Sequence, residues 1–329
     1  MTKYQQRFLL LFLLVAVISG AVIYTTVDIH TLTHLNAFQP WAIGLAVLLL
    51  AIGMYFDGTR LAKLAQIAGE RISFGTALQV IFGNYFLALL TPGAAGGAVA
   101  QVMFLRRAGI PLGKASVLVL VRTLLSILFL LICMPIVFYF DPELIPWLSP
   151  NLLAAMAIVL LAISFGGMAF LRTRLSLTLV LTITRRIRNG HGRRILIFRL
   201  YRDVRAAVGL LSATPTGVMQ VFVESGMSLL ALYAIVPMLF LGLGIAVDWP
   251  TVMGRMIFLN LLLYFAPTPG GSGIAEGGFV LLFNDYLPPG TVGILAVAWR
   301  ILAEYLPFSI GFYYTIKVFG RDFLAKQLK

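Results

Sequence analysis

The sequence predicts an all-α polytopic membrane protein, with six full spans and two re-entrant helical hairpins arranged as two inverted repeats. Three observations lead to this prediction. The 329 residues are 60% hydrophobic and 11% charged, with a mean hydropathy of +0.97, which is far more apolar than a soluble core requires. Apolar runs long enough to cross a bilayer recur along the chain. Two apolar regions are interrupted by similar proline-glycine motifs at similar places.

The six predicted spans meet or approach the length of about 20 residues that a helix needs to cross about 30 Å of hydrocarbon. They are residues 7–27, 41–57, 112–139, 150–171, 216–244 and 291–318. The first span follows a basic start and contains Ser19-Gly20-Ala21, which resembles a cleavage site. We interpret it as an uncleaved span, with a signal peptide as the alternative.

Two further apolar regions are too short on either side of their breaks to cross as single helices. Residues 75–105 are interrupted by Thr91-Pro92-Gly93-Ala94-Ala95-Gly96-Gly97, and residues 251–285 by Pro267-Thr268-Pro269-Gly270-Gly271-Ser272-Gly273. Because proline removes a backbone donor and glycine permits a reversal, each region predicts a re-entrant hairpin of two half-helices. The alternative is a single ten-helix bundle in which these motifs are kinks and their similarity is chance.

Loop charges predict the orientation of the spans. Basic segments join them on one side: residues 58–74, 172–205 with ten arginines, and the C-terminus. The opposite loops carry acidic residues and no lysine or arginine: residues 28–40, 140–149 and 245–250. The positive-inside rule therefore predicts that both termini are cytoplasmic. The loop charges fit this orientation only if the hairpin 75–105 enters and leaves on the cytoplasmic side and the hairpin 251–285 enters and leaves on the outer side.

The chain then divides into two membrane repeats, residues 1–140 and 150–329, each with the order span, span, hairpin, span. An odd number of full spans inverts the second repeat relative to the first, as in secondary transporters. The arginine-rich cytoplasmic loop, residues 172–205, lies in the second repeat. Within it, residues 185–205 alternate arginines with apolar residues, which predicts either an amphipathic helix on an anionic lipid surface or a solvated loop.

Two arginines lie deep inside apolar spans, Arg122 after the first hairpin and Arg300 after the second. A charge in hydrocarbon costs about 2.5–3.5 kcal/mol on insertion scales, so such a residue usually faces a cavity or a partner. We predict that both arginines lie near the bilayer midplane and hold the anionic group of a substrate. The alternatives are an ion pair of Arg300 with Glu304 at i+4, and a pairing of Arg122 with Glu276 or Glu224.

The starts of the second half-helices supply free backbone amides, which attract anions. We therefore expect the hairpin residues to bind substrate. They are Asn84, Thr91, Gly93, Gly96 and Gly97 in the first hairpin, and Thr268, Gly270, Gly271, Ser272 and Gly273 in the second. Three carboxylates are candidates for charge balance or proton coupling: Glu276, Glu304 and Glu224.

Several function classes are excluded by what the sequence lacks. The single cysteine, Cys133, cannot form an internal disulfide, and no Cys or His cluster suggests a metal. No catalytic constellation and no nucleotide-binding loop is present, so we expect neither an enzyme nor a cofactor. The net charge of +13 comes from arginines at the ends of apolar segments, which favours membrane orientation over nucleic-acid binding.

The motifs also carry a family resemblance. The stretches Gly83-Asn84-Tyr85-Phe86, Thr91 to Gly97, Arg106, Arg122 and Pro267 to Glu276 resemble the flippase-like family built on the transmembrane region of lysylphosphatidylglycerol synthases, and the likeness covers nearly the whole chain. The resemblance implies an inner-membrane protein of a bacterium or archaeon that translocates a phospholipid or other polar lipid. Bifunctional members carry a soluble aminoacyl-transferase domain after the membrane part. This sequence ends at Lys329, so we expect a stand-alone member without aminoacyl transfer.

The resulting functional prediction is the flipping of an anionic or polar lipid between the leaflets of the cytoplasmic membrane, with its headgroup bound at the midplane between the two hairpin tips. The expected partners are this membrane lipid and the anionic lipid surface. Two alternatives remain: a non-transporting partner that presents lipid to a separate synthase or glycosyltransferase through residues 172–205, and a transporter of small solutes or ions.

Overall fold

The computed structural model describes most of the chain in helical form. The described residues are 38–91, 95–142, 144–145, 149–186, 195, 198, 201–206, 208–210, 214–288 and 290–327. Within these ranges the elements are helices and no strand occurs. The predicted span 7–27 and three residues of the first hairpin motif, Pro92, Gly93 and Ala94, lie outside the described residues.

The first half of the described chain contains four helices: α1 (Pro40–Ile67), α2 (Phe74–Leu90), α3 (Ala95–Arg107) and α4 (Leu112–Phe140). The two half-helices predicted over 75–105 are therefore confirmed as α2 and α3. α1 runs ten residues beyond the predicted end of its span at residue 57. Asp57 and Arg60, at the predicted end, are buried and paired with each other, so the helix continues through them.

The second half begins with α5 (Pro150–Arg172), α6 (Arg174–Arg186), α7 (Pro215–Tyr233) and α8 (Ile235–Gly242). The predicted single span 216–244 is thus divided at Ala234. Pro237 explains the division, because it lacks the N–H that would bond the carbonyl four residues earlier. The arginine-rich segment 172–205 was expected to be a loop, but its first part is the regular helix α6.

The chain then forms α9 (Trp249–Leu263), α10 (Ile274–Phe283), α11 (Thr291–Arg300), a π-helix (Ile301–Tyr305) and α12 (Leu306–Gln327). α9 and α10 are the two half-helices predicted over 251–285. The turn between them uses positive φ at Gly270, Gly271 and Gly273, a region of backbone conformation that glycine adopts without steric cost.

Four helical segments of the described chain are long and apolar enough to cross a membrane: Pro40–Ile67, Leu112–Phe140, Pro215–Gly242 and Thr291–Phe319. They correspond to four of the six predicted spans. α5 coincides with a fifth, residues 150–171. The helices of the hairpins, such as α2 and α9, are apolar but shorter, as half-helices should be. Whether the hairpins re-enter the bilayer stays a prediction.

The helices of the two halves pack reciprocally. α1 packs along α7, α2 packs on α12, and α9 packs on α4. The first half-helix of each hairpin therefore packs on the last span of the other half of the chain. Aromatic contacts occur in both of these helix pairs. The ring centroids are 6.1 Å apart for Phe82 and Tyr314 and 6.5 Å apart for Phe138 and Phe258. Phe82 and Phe258 each precede an asparagine by two residues, so the contacts are those that two related repeats would make.

The two hairpins also meet each other. The backbone amide of Gly270, at the turn of the second hairpin, donates to the carbonyl of Ala88 near the end of α2, with an N–O distance of 3.2 Å. A Cβ atom at Gly270 would lie 3.0 Å from side-chain atoms of Leu89, so glycine permits this approach. The contact places the turn of the second hairpin beside the C-terminal end of α2.

Candidate functional site

A cavity of about 390 Å³ lies where the two hairpins meet. Its walls come from α1, α2, α3, α4, α7, α9 and the π-helix. The charged side chains of the lining belong to two groups of paired residues, with Asp57, Arg60 and Arg122 in one group and Glu304, which lies near Arg300, in the other. Uncharged polar groups complete the lining, including Asn84, Tyr85, Gln101, Asn260 and Tyr264. A polar cavity of this kind inside an apolar helix bundle is the candidate site.

The basic cluster consists of Asp57, Arg60 and Arg122. Arg122 forms a two-pronged pair with Asp57, with Nη2–Oδ2 and Nε–Oδ1 distances of 2.5 and 3.1 Å. Arg60 adds a third contact, its Nε lying 2.5 Å from Asp57 Oδ1. All three side chains are buried. Because one carboxylate faces two guanidinium groups, the cluster carries a net positive charge.

Side-chain amides and a hydroxyl extend the basic cluster. Arg122 Nη1 donates to Gln101 Oε1 over 3.1 Å, and Gln101 Nε2 donates to Asn84 Oδ1 over 2.8 Å. Arg60 Nη1 donates to Ser126 Oγ over 2.9 Å. These bonds join α1, α2, α3 and α4, so the position of Arg122 depends on four helices. Such connected networks fix side-chain orientation more firmly than isolated pairs.

The acidic cluster consists of Glu276, Arg300 and Glu304. Arg300 Nε donates to Glu276 Oε1 over 3.0 Å, and both of its Nη atoms lie 3.2 Å from the Gly270 carbonyl oxygen. Glu304 is farther away, with an Nη1–Oε1 distance of 3.8 Å. The predicted pair of Arg300 with Glu304 is present, but the shorter partner is Glu276. Since two carboxylates share one guanidinium, this cluster carries a net negative charge.

The π-helix determines how the acidic cluster meets the cavity. It begins directly after Arg300 and contains Glu304, and the wider turn changes the alignment that a regular i, i+4 pair would have. Arg300 is 2% exposed and lies behind the wall, whereas Glu304 reaches the cavity lining. The acidic cluster therefore presents a carboxylate, rather than its guanidinium, to the cavity.

Three backbone amides at the starts of the second half-helices are not free, which corrects the prediction for these three. The amide of Gly273 donates to Glu276 Oε2 over 2.8 Å, and that of Gly96 donates to Thr91 Oγ1 over 2.7 Å. The amide of Ser272 donates to the Pro269 carbonyl over 2.9 Å. The reason is local capping, in which a nearby side chain satisfies the orphan donors of the helix start.

The predicted site residues fall into two groups. Arg122, Asn84, Gly270, Gly271 and Glu304 line the same cavity. The others contribute to the packing and capping around it: Arg300, Thr91, Gly96, Gly97, Thr268, Ser272, Gly273 and Glu276. At Gly97 an added Cβ would collide with the side-chain oxygen of Asn84, so glycine is needed for α3 to cross α2 here. Gly93 lies outside the described residues.

Glu224 lies apart from the cavity lining. Its Oε1 accepts a hydrogen bond from Lys63 Nζ, so this carboxylate joins α7 to α1 rather than pairing with Arg122. Within the described chain its second oxygen, Oε2, is buried without a hydrogen-bond partner. The expectation that Arg122 pairs with Glu224 or Glu276 is therefore wrong, because Asp57 occupies that place.

Sequence comparison agrees with this architecture over almost the whole chain. Residues 9–311 match the family described as the lysylphosphatidylglycerol synthase TM region. The chain belongs to this family. A relative in Archaeoglobus fulgidus, a UPF0104 membrane protein, is 21% identical over 324 residues, which cover 91% of this chain and 93% of the relative. The resemblance given by the hairpin motifs is thus confirmed.

Sequence reasoning on this lysylphosphatidylglycerol synthase TM-region protein missed two of the three residues of the basic cluster. Asp57 and Arg60 were assigned to the end of a span and to a loop. A signal was nevertheless present, because i, i+3 spacing places both on one face of a helix that continues an apolar run. Opposite charges at this spacing can satisfy each other within a helix, so they need not mark its end.

Replacing Thr91 with valine tests the cap of the first hairpin in this family member. The variant loses the hydroxyl that accepts from the Gly96 amide and donates to the Leu87 carbonyl over 2.8 Å. We expect the free energy of unfolding to fall by about 1 kcal/mol, measured by denaturant unfolding in detergent. Thr178→Val is the control, because the Thr178 hydroxyl donates only to the Arg174 carbonyl on an exposed part of α6. Equal stability of the two variants would contradict the capping role.

Proposed function

We propose that this protein moves the headgroup of a polar membrane lipid from one leaflet of the cytoplasmic membrane to the other. The observation that carries the proposal is a cavity in a bundle of apolar helices, lined by charged and polar side chains of both hairpins and of the neighbouring helices. Ligand sites typically measure about 300–1,000 Å³. A cavity of about 390 Å³ accommodates a lipid headgroup but not two acyl chains, so the chains would remain in the surrounding lipid.

The basic cluster supplies the binding role in this proposal. Arg122 and Arg60 use part of their donors on Asp57, Gln101 and Ser126. Both arginines also line the cavity. Guanidinium groups bind phosphate through paired, charge-assisted hydrogen bonds. The phosphate of the headgroup would therefore bind at the basic cluster, with Glu304 as the counter-charge or proton carrier on the opposite wall.

The two hairpins supply the proposed route between the leaflets. Paired broken helices in inverted repeats build the midplane sites of many secondary transporters. We propose that the hairpins re-enter from opposite sides and separate alternately at the Gly270–Ala88 contact. The positive-inside rule supports cytoplasmic termini, with the arginines of residues 172–205 against the anionic surface of the inner leaflet.

A leaflet-exchange assay with purified protein tests this function. Vesicles of phosphatidylethanolamine and phosphatidylglycerol carry a lipid labelled on its acyl chain with a quenchable fluorophore, and an external reductant reports the labelled lipid that reaches the outer leaflet. Arg122→Gln is expected to slow exchange at least about tenfold, because hydrogen bonds to charged groups contribute about 1.5–3 kcal/mol. Wild-type rates equal to those of protein-free vesicles would reject the proposal.

Arg255→Gln is the matched control for that assay. Arg255 pairs with Asp141 at an Nε–Oδ2 distance of 2.6 Å and is absent from the cavity lining. The variant thus removes a partly buried guanidinium that contacts Asp141 and the Leu282 carbonyl but does not line the cavity. Exchange should persist in correctly folded protein. Equal rates for Arg122→Gln and wild type would overturn the assignment of Arg122 to the headgroup.

Helix α6 favours a second candidate function, the presentation of lipid to a separate lipid-modifying synthase or glycosyltransferase. Leu175 and Leu179 lie one turn apart on α6 and are 69% and 52% exposed, and arginines begin and end the helix. Such an amphipathic surface suits either anionic lipid or a partner protein. Lipid exchange by the purified chain alone would reject this candidate in favour of translocation.

A further inference from the structure

The two charged clusters present opposite signs to one cavity. In the basic cluster, Asp57 neutralises only one of the two guanidinium groups that contact it. In the acidic cluster, Arg300 already pairs with Glu276 at 3.0 Å. Glu304, at 3.8 Å from Arg300, is therefore the carboxylate that lacks a full counter-charge. One wall carries an excess of positive charge and the other an excess of negative charge.

Glu304 is also available to a ligand. Within the described chain it accepts no hydrogen bond, and its side chain keeps 23% exposure on the cavity lining. A carboxylate in this state is costly to leave without a cationic or hydrogen-bonding partner. A partly exposed carboxylate in the cavity lining therefore fits an ammonium group.

Tyr85 lies in the same cavity lining as both clusters. It lines that cavity together with Asp57 and Arg122 of one cluster and Glu304 of the other. A headgroup bound beside Tyr85 thus experiences both clusters together. Because fields are weakly screened in a buried site, complementary charge on the ligand is strongly favoured there.

We infer that the headgroup taken by this cavity is zwitterionic, with its phosphate at Arg60 and Arg122 and its ammonium at Glu304. This inference rests on the proposed function and names its substrate class. A headgroup with only a phosphate satisfies the basic wall but places negative charge in the same cavity as Glu304. Such a mismatch discriminates against the anionic lipid.

The test compares two lipids that differ only in the headgroup. Acyl-chain-labelled phosphatidylethanolamine, whose amine is free, and phosphatidylglycerol with the same chains are assayed separately in vesicles of both unlabelled lipids in equal amounts. Wild-type protein is expected to exchange phosphatidylethanolamine about tenfold faster. Glu304→Gln should reduce this rate ratio to near one. Glu70→Gln is the matched control, because Glu70 pairs with Lys114 outside the cavity, and should retain the ratio.

The outcomes separate this inference from the proposed function. Equal wild-type rates for the two lipids, or a ratio unchanged by Glu304→Gln, would overturn the zwitterion assignment while leaving translocation intact. If neither lipid exchanges, translocation is rejected, and native mass spectrometry of retained lipid decides the headgroup. Enrichment of phosphatidylethanolamine in wild-type protein that is lost in Glu304→Gln then supports the inference, and equal retention of both lipids refutes it.

Discussion

Replacing Asp57 with asparagine is expected to lower the free energy of unfolding by about 3–5 kcal/mol, the usual cost of breaking a buried ion pair from one side. Asp57 is 3% exposed and contacts Arg60 and Arg122 at 2.5 Å each. Asparagine keeps the shape but not the charge. The variant therefore leaves two buried guanidinium groups without a carboxylate in the basic cluster, and headgroup exchange should fall together with stability.

Denaturant unfolding in mixed micelles, followed by circular dichroism, measures this effect. Glu70→Gln makes the same chemical change in the ion pair with Lys114, where the two side chains are 24% and 47% exposed. Surface pairs contribute at most about 1 kcal/mol, so this control should remain close to wild type. The double variant Asp57→Asn with Arg122→Gln should be more stable than Asp57→Asn, because it removes one uncompensated charge. Equal effects of Asp57→Asn and Glu70→Gln would show that the basic cluster is not a stabilising unit.

The helices and breaks of this fold were largely predictable, because their signals are local. Long apolar runs indicate membrane-length helices, and the motifs at Pro92 and Pro269 mark the interruptions within 75–105 and 251–285. The predicted end of α1 at residue 57 was too early, because a hydropathy scale scores each charged residue as if it had no partner. Asp57 and Arg60 satisfy each other at i, i+3, so α1 continues to Ile67.

The partners in the site were less predictable, because they come from distant parts of the chain. Arg122 contacts a residue of α1, 65 positions earlier, and hydropathy does not reveal which helices are neighbours. Burial of Arg122 was foreseen from its cost in hydrocarbon, but its partner was not. Arg300 was predicted to hold the substrate, with a pair to Glu304 only as the alternative, but it is buried behind the cavity lining and contacts both carboxylates. Its shorter contact with Glu276 depends on the turn at Gly273, whose amide the same carboxylate caps.

At the hairpin amides, a carboxylate of the protein itself competes with an anionic ligand, which the sequence prediction did not consider. A helix start attracts anions, yet Glu276 lies three residues after Gly273 and is already such an anion. An intramolecular carboxylate needs no association entropy to bind, whereas a free ligand does. The amides therefore contribute to the rigidity of the cavity, and the charged side chains on its walls remain the groups available to a headgroup.

Replacing Gly311 with alanine is expected to separate α12 from α2 and to lower the free energy of unfolding by about 1–3 kcal/mol, the usual cost of overpacking. A Cβ atom there would collide with the carbonyl oxygen of Phe82 and lie 2.7 Å from its carbonyl carbon. Because the obstacle is backbone, no side-chain rotation relieves it. The stacking of Phe82 on Tyr314 should weaken as the helices move apart.

Gly44→Ala is the control, since Gly44 lies in α1 and a Cβ there meets nothing within 4 Å. Alanine is favoured over glycine in a helix by about 1 kcal/mol, so the same substitution should stabilise the protein at Gly44. If Gly311→Ala lowers the free energy of unfolding and Gly44→Ala raises it, the loss at Gly311 is due to the α2–α12 contact. Because α2 also carries Asn84 on the cavity wall, Gly311→Ala should slow lipid exchange although Gly311 lies outside the cavity lining. Unchanged stability and exchange would mean that the two hairpin-bearing halves do not depend on this contact.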